Sequence, residues 1–133
     1  MQIRRLRSGD DDVVERLATR EPRTALLEDP HAIFLVAFDN GIPIGFVLAY
    51  ELPRRHGDEM TLCIYEIEVD EAWRRRGVAT RLLLELERIA RQHEIAEAFV
   101  LTDATNAAAM RLCESVGGKA QDVVEWDFDY TGN

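Results

Sequence analysis

Several features that would tie the chain to a membrane, a metal or a nucleic acid are missing. Its 133 residues hold no apolar run near the roughly 18–20 that span a bilayer, and the opening MQIRRLRSG has no apolar signal core. Only two cysteines occur, Cys63 and Cys113, and their spacing fits neither a metal site nor a redox pair. Each sits in an apolar segment, which predicts buried free thiols and a cytoplasmic setting. Neither GxGxxG nor GxxxxGK[ST] is present, so two common glycine-based phosphate loops are excluded. Repeats, linkers and low-complexity tracts are also lacking. Positive charge is the scarce sign: 16 Lys and Arg stand against 25 Asp and Glu, for a net charge of −9. That balance opposes nucleic acid and favours a cationic partner.

What remains reads as one globular domain over residues 1–133, long enough to bury about two-thirds of its unfolded surface. Gln2 to Arg7 is a first strand, and Asp10, Asp11 and Asp12 offer N-caps for a helix to about Arg20. Glu21-Pro22 breaks it before a short second helix over Arg23 to Glu28. Ala32 to Phe38 and Pro43 to Tyr50 are strands joined by Asn40-Gly41, a type I′ hairpin signal. Met60 to Val69 is a long strand, and the apolar stripe Val78, Leu82, Leu86, Ile89 predicts a helix from Gly77 to about His93. Glu97 to Leu101 is a buried strand, Asn106 to Val116 a helix closed by Gly117-Gly118, and Val123 to Asp129 alternates as a last strand. The order β-α-α-β-β-β-α-β-α-β makes a single-domain mixed α/β sheet with helices on both faces.

Against the acidic background, Arg74-Arg75-Arg76-Gly77 stands out at the junction of strand and helix. A helix start leaves about four backbone N–H groups unpartnered and adds partial positive charge. Gly77 lets a ligand approach the backbone, and the arginines offer forked donors to phosphate oxygens. The combination reads as a pyrophosphate cradle; the same residues also read as a charged helix start on a solvated surface.

The segment resembles the acyl-CoA-binding motif of the GNAT N-acetyltransferases: Arg or Gln, two residues, Gly, one residue, then Gly or Ala, here Arg74, Gly77 and Ala79. The upstream Ile67 and Val69 and the order of elements resemble that family too, as does Asn106-x-x-Ala109-x-x-Leu112-Cys113-x-x-x-Gly117. The resemblance implies acetyl-CoA as cosubstrate, with no metal. Backbone around Arg75, Arg76, Gly77, Val78, Ala79 and Thr80 would hold the pyrophosphate, Ile67 and Val69 the pantetheine arm, and Asn106 the same arm. Cys113 falls where the family very often has a tyrosine that protonates the leaving thiolate.

The middle of the chain, through Tyr50 to Arg54, Tyr65 to Val69 and Arg74 to Thr80, is similar to aminoglycoside 3-N-acetyltransferases of the gentamicin type. The acidic, aromatic run Val124 to Asp129 resembles their final strand. Two departures are the shorter N-terminal third and Cys113 in place of tyrosine. By this likeness Glu66, beside Tyr65, is the candidate base that keeps the acceptor amine neutral; its other reading is a solvent-facing carboxylate. Strand alternation sets Glu66 and Glu68 opposite Ile67 and Val69. Tyr65 is a catalytic candidate or a core aromatic. Glu68, Glu125, Asp127 and Asp129 are candidate grips for ammonium groups, or a solvated edge. Cys113 is a weak proton donor or a small apolar filler. His31, His56 and His93 carry no partner signal. The acceptor expected is a cationic small molecule, first the 3-amino group of an aminoglycoside, acetylated by direct transfer in a ternary complex. A polyamine, a protein amine or a non-catalytic acyl-CoA-binding module are the alternatives, and a homodimer is compatible with all of them.

Overall fold

Strand alternation builds the centre of the molecule. In the computed structural model, which describes residues 1–132, β2 (Ala32–Asp39) sends Ile33, Leu35 and Ala37 to one face of the sheet. Phe34, Val36 and Phe38 go to the other. Because both faces are covered, the strand reads as one continuous apolar run rather than as alternating polar and apolar residues. Antiparallel neighbours flank it: β1 (Gln2–Arg5) on one side and β3 (Ile42–Pro53) on the other. The β2–β3 hairpin turns through Asn40 and Gly41, both at positive φ, as its Asn-Gly signal predicts.

β4 (Met60–Val69) pairs antiparallel with β3, and β5 (Ala98–Val100) pairs parallel with β4, giving the order β1-β2-β3-β4-β5. On one face, α2 (Val78–Gln92) presses Val78, Leu82, Leu86, Ile89 and Ala90 onto Ile33, Leu35, Val47 and Leu62. On the other, α1 (Asp11–Leu17) sets Val13 and Val14 against Phe34, Val36, Phe46 and Leu48. α3 (Ala107–Ser115) lies beside α2. The mixed sheet with helices on both faces is therefore as the sequence predicts. None of the described helices is long and apolar enough to cross a membrane.

Four expectations change. The strand expected to be buried over Glu97 to Leu101 is shorter, Ala98–Val100, and leaves Phe99 and Leu101 exposed, because it is an edge strand of the sheet. The first helix ends at Leu17 rather than near Arg20, because the chain turns to extended backbone at Ala18. Arg23 to Glu28 is not an α-helix but a 3₁₀ segment, Thr24–Glu28, too short to propagate α-helical bonding. The final strand over Val123 to Asp129 is not formed. Among the described residues, no backbone–backbone hydrogen bond or strand pairing is made after Gly118. Alternation marks a segment able to pair, but a strand exists only as half of a ladder.

Candidate functional site

The junction between β4 and α2 is built around two glycines. Gly77 sits at φ +79° immediately before the helix, where a Cβ would meet no atom within 4 Å. The left-handed conformation needs glycine, and the empty space beside it leaves room for a ligand. Gly45, on β3, works differently. A Cβ there would come 3.0 Å from the Glu68 carbonyl oxygen and 3.3 Å from a Val78 methyl, so its absence lets the start of α2 approach the sheet. The sequence reading missed Gly45, since a lone glycine in a strand gives no signal of what lies across from it.

The start of α2 is bare. No side chain caps its first N–H groups, and its first turn holds no acidic residue. The upstream turn is held in shape locally. Arg74 Nε donates to the Val69 carbonyl at 3.1 Å, the Asp70 N–H donates to the Ile44 carbonyl at 2.8 Å, and Arg75 lies at φ +63°. Uncapped N–H groups, a positive helix end and nearby guanidinium groups make an anion site.

That site opens on a cavity of about 1270 Å³, lined by Ile67, Glu68, Val69, Arg74, Arg75, Gly77, Val78, Ala79, Thr80 and Asn106. The structure thus brings together all but one of the residues expected to bind the cofactor. Arg76 lines neither this cavity nor its neighbour; its guanidinium lies over the Trp73 ring, 5.0 Å from the centroid. Two further cations, Arg16 from α1 and Arg111 from α3, also line the cavity. Neither belongs to a local motif, so only the fold could reveal them.

A second cavity, of about 610 Å³, shares the walls Ile67, Glu68 and Asn106 with the first and adds Tyr65, Glu66 and Cys113. Its shape starts from a β-bulge. Leu48 pairs with Glu66 and Ala49 with Ile64, which leaves Tyr65 as the extra residue on β4. Tyr65 is consequently no core aromatic: it is 64% exposed and meets Tyr50 edge-to-face at 5.7 Å. Burial first, then the charges of Tyr65 and Glu66, raise the Tyr50 phenol above its ordinary value. Charge divides between the two spaces. Glu66, Glu68, Glu87 and Glu97 line the smaller one, Glu87 paired with Arg91 and Glu97 with Arg54, while Arg16, Arg74, Arg75 and Arg111 outnumber by one the acids of the larger, Glu68, Asp70 and Glu71. The pair can therefore hold an anionic group at one end and a cationic one at the other.

Asn106 serves as the N-cap of α3, its Oδ1 accepting from the Ala109 N–H at 3.1 Å. Cys113 and Cys63 are both free and half-buried, short of the full burial expected for either, and burial raises the Cys63 thiol. Glu125, Asp127 and Asp129 are exposed on the unpaired C-terminal segment and line neither cavity, so the structure does not unite them with Glu66. Two histidines do have a partner. His93 and His31 both reach Glu51 through Nδ1, at 2.5 and 3.4 Å, a cluster far apart in sequence that lines neither cavity.

This geometry coincides with similarity to known proteins. A stretch of 44 residues is 43% identical to the L-2,4-diaminobutyric acid acetyltransferase of Streptomyces avermitilis, covering 33% of this chain and 23% of that protein. The chain therefore spans less than a quarter of that curated relative's length. An aminoglycoside acetyltransferase from an uncultured soil metagenomic sample superposes with a TM-score of 0.89 at 25% identity, over 98% of both chains. The aminoglycoside 6′-N-acetyltransferase of Acinetobacter haemolyticus shares the fold with a TM-score of 0.75 at 19% identity, over 99% of this chain and 100% of that one. Residues 2–117, from the first strand to the glycine that ends α3, match the acetyltransferase (GNAT) family, and the chain belongs to it.

Proposed function

We propose that the protein moves an acetyl group from acetyl-CoA to an amine of a cationic small molecule, first among them the 3-amino group of an aminoglycoside. The observation that carries this reading is the bare, Gly77-led start of α2, which opens on a basic cavity sharing walls with an acidic one. Acetyl-CoA supplies the activated acetyl group, and this chain's residues position and neutralise. The N–H groups of Val78, Ala79 and Thr80, with Arg74 and Arg75, take the pyrophosphate. The Ile67 to Val69 backbone and Asn106 take the pantetheine arm. Glu66 accepts the proton of the incoming ammonium, Tyr65 orients the acceptor, and Cys113 returns a proton to the departing sulfur. Glu68 helps Glu66 hold further ammonium groups. A cytoplasmic setting fits the two free thiols.

A smaller amine acceptor has its own support in the stretch shared with a diaminobutyric acid acetyltransferase. The regiochemistry is open to challenge from a neighbour in fold that carries a 6′-N designation. Calorimetry with acetyl-CoA, followed by thiol-release assays with gentamicin-class drugs, spermidine, diaminobutyrate and a lysine peptide, separates these readings. Micromolar coenzyme binding, drug turnover with intersecting initial-rate lines, and acetylation at the 3-amino group by NMR are expected. No coenzyme binding overturns the whole reading. Binding without turnover leaves a non-catalytic module, and peptide-only turnover moves the activity to protein amines.

A further inference from the structure

The cavity of about 610 Å³ has two unlike ends. Glu66 and Glu68 stand at one, beside the larger cavity, while the other runs between α2 and α3 past Leu83, Leu86, Ala90, Ile95 and Val116. None of these five lines the larger cavity. Leu86, Ala90 and Ile95 belong to the hydrophobic core, so this end reaches into the core itself. It stays open because α3 buries none of its residues and does not close against α2. The charges along it, Glu87 and Glu97, are already paired with Arg91 and Arg54. Ammonium and hydroxyl groups of a polar acceptor would lose their hydration there and find no replacement partners. An acetyl methyl is far smaller than the space. Apolar cavities of this kind stay dry and take apolar guests.

We propose that the protein takes acyl-CoA donors with a medium-length saturated tail, such as hexanoyl, and that the tail lies between α2 and α3. This rests on the coenzyme site proposed above, since it follows the donor onward from that site. The two cavities meet at Ile67, Glu68, Asn106, Ala109 and Leu112. A pantetheine arm laid along these residues brings its sulfur to the shared wall, beside Cys113 in the smaller cavity. A tail on the thioester carbonyl then continues away from the arm, and the space ahead of it divides. The carboxylates of Glu66 and Glu68 draw the amine, and the apolar walls Leu86, Leu112 and Val116 draw the tail. The reaction balances as it does for acetyl. The nitrogen–carbon bond forms as the carbon–sulfur bond breaks, and ammonium plus thioester gives amide, coenzyme thiol and one released proton. Each methylene taken out of water adds about fourfold in affinity.

Calorimetry of the full chain with acetyl-, butyryl- and hexanoyl-CoA, with no acceptor present, tests the tail site. Affinity should climb along the series, hexanoyl-CoA binding at least about tenfold tighter than acetyl-CoA. NOEs should join the terminal methyl of hexanoyl-CoA to the methyls of Leu86 and Val116. Val116→Trp fills the apolar end and should remove the hexanoyl gain while leaving acetyl-CoA affinity unchanged, since Val116 lines only the smaller cavity. Acetyl-CoA binding with equal or weaker hexanoyl-CoA binding overturns the tail site and leaves the coenzyme reading standing. Absence of binding by every thioester overturns both. A gain that survives in folded Val116→Trp overturns the proposal. So do NOEs that put the tail methyl elsewhere, or that join Leu86 and Val116 to aromatic rings of the chain in its place. The affinity series and the NOEs are read on the unmutated protein and decide the matter even if Val116→Trp fails to fold.

Discussion

At Gly77, backbone and ligand requirements coincide. Its φ of +79° disfavours any side chain, and the space where a Cβ would stand is open cavity. Gly77→Ala should cost about 1 kcal/mol of stability from the left-handed backbone alone. Gly77→Asp should abolish coenzyme binding, because it adds bulk and negative charge where pyrophosphate is proposed to sit. The three arginines beside it are not equivalent. Arg74→Ala should raise the KM for acetyl-CoA about tenfold with little change in kcat, since a remote phosphate contact is mostly uniform binding. Arg76→Ala should leave that KM within about twofold, because Arg76 stacks on Trp73 and lines neither cavity. Steady-state kinetics on these variants, with calorimetry for Gly77→Asp, decide the matter. Equal effects at Arg74 and Arg76 would contradict the geometry.

Among the elements, α1 shows how a local signal can be correct in place and wrong in mechanism. Asp10 occupies the N-cap position but makes no cap bond. Its carboxylate instead accepts from the Arg7 N–H and the Arg4 guanidinium, each at 2.8 Å, tying β1 to the helix start. Burial pushes its carboxyl up, but the Arg7 N–H, the Arg4 bond and the charges of Arg4 and Arg7 outweigh that and hold it below its ordinary 3.8. A depressed folded value adds stability above the unfolded pKa, and that stability is lost as pH falls through the folded value. Asp10→Asn should therefore lower stability by about 1 kcal/mol or less at pH 7, with the gap closing below about pH 4. Denaturant melts at pH 7 and pH 3 check this; a gap independent of pH would assign the loss to packing. The same contrast explains what could be read from the sequence. The β2–β3 hairpin and α2 were legible because Asn40-Gly41 and the Val78 to Ile89 stripe are local instructions. The bulge at Tyr65, the approach over Gly45 and the pairing of His93 with Glu51 depend on residues opposite or distant, which no window along the chain contains. The C-terminal segment alternates as a strand would, yet no strand forms there, because alternation within a window does not supply a neighbour to pair with.

Across the whole molecule, the net charge of −9 and the division of charge between the cavities act on the two proposed substrates in opposite ways. A polycationic acceptor feels attraction at long range from the molecule and at short range from Glu66 and Glu68, Glu87 and Glu97 being already paired with Arg91 and Arg54. The anionic coenzyme meets long-range repulsion and short-range attraction from Arg16, Arg74, Arg75 and Arg111. Screening lengths fall from about 30 Å at 0.01 M salt to about 8 Å at 0.15 M, so salt removes the long-range part first. For the acceptor both parts favour encounter, and its kcat/KM should fall about tenfold or more between 0.02 and 0.5 M salt. For acetyl-CoA the two parts oppose, and its kcat/KM should change by less than about threefold over the same range. An acceptor with a single amine should lie between them, because its attraction scales with its charge. Measuring kcat/KM for drug, monoamine and coenzyme across that salt series tests the assignment of the acidic cavity to the acceptor. A coenzyme more salt-sensitive than the drug would reverse it.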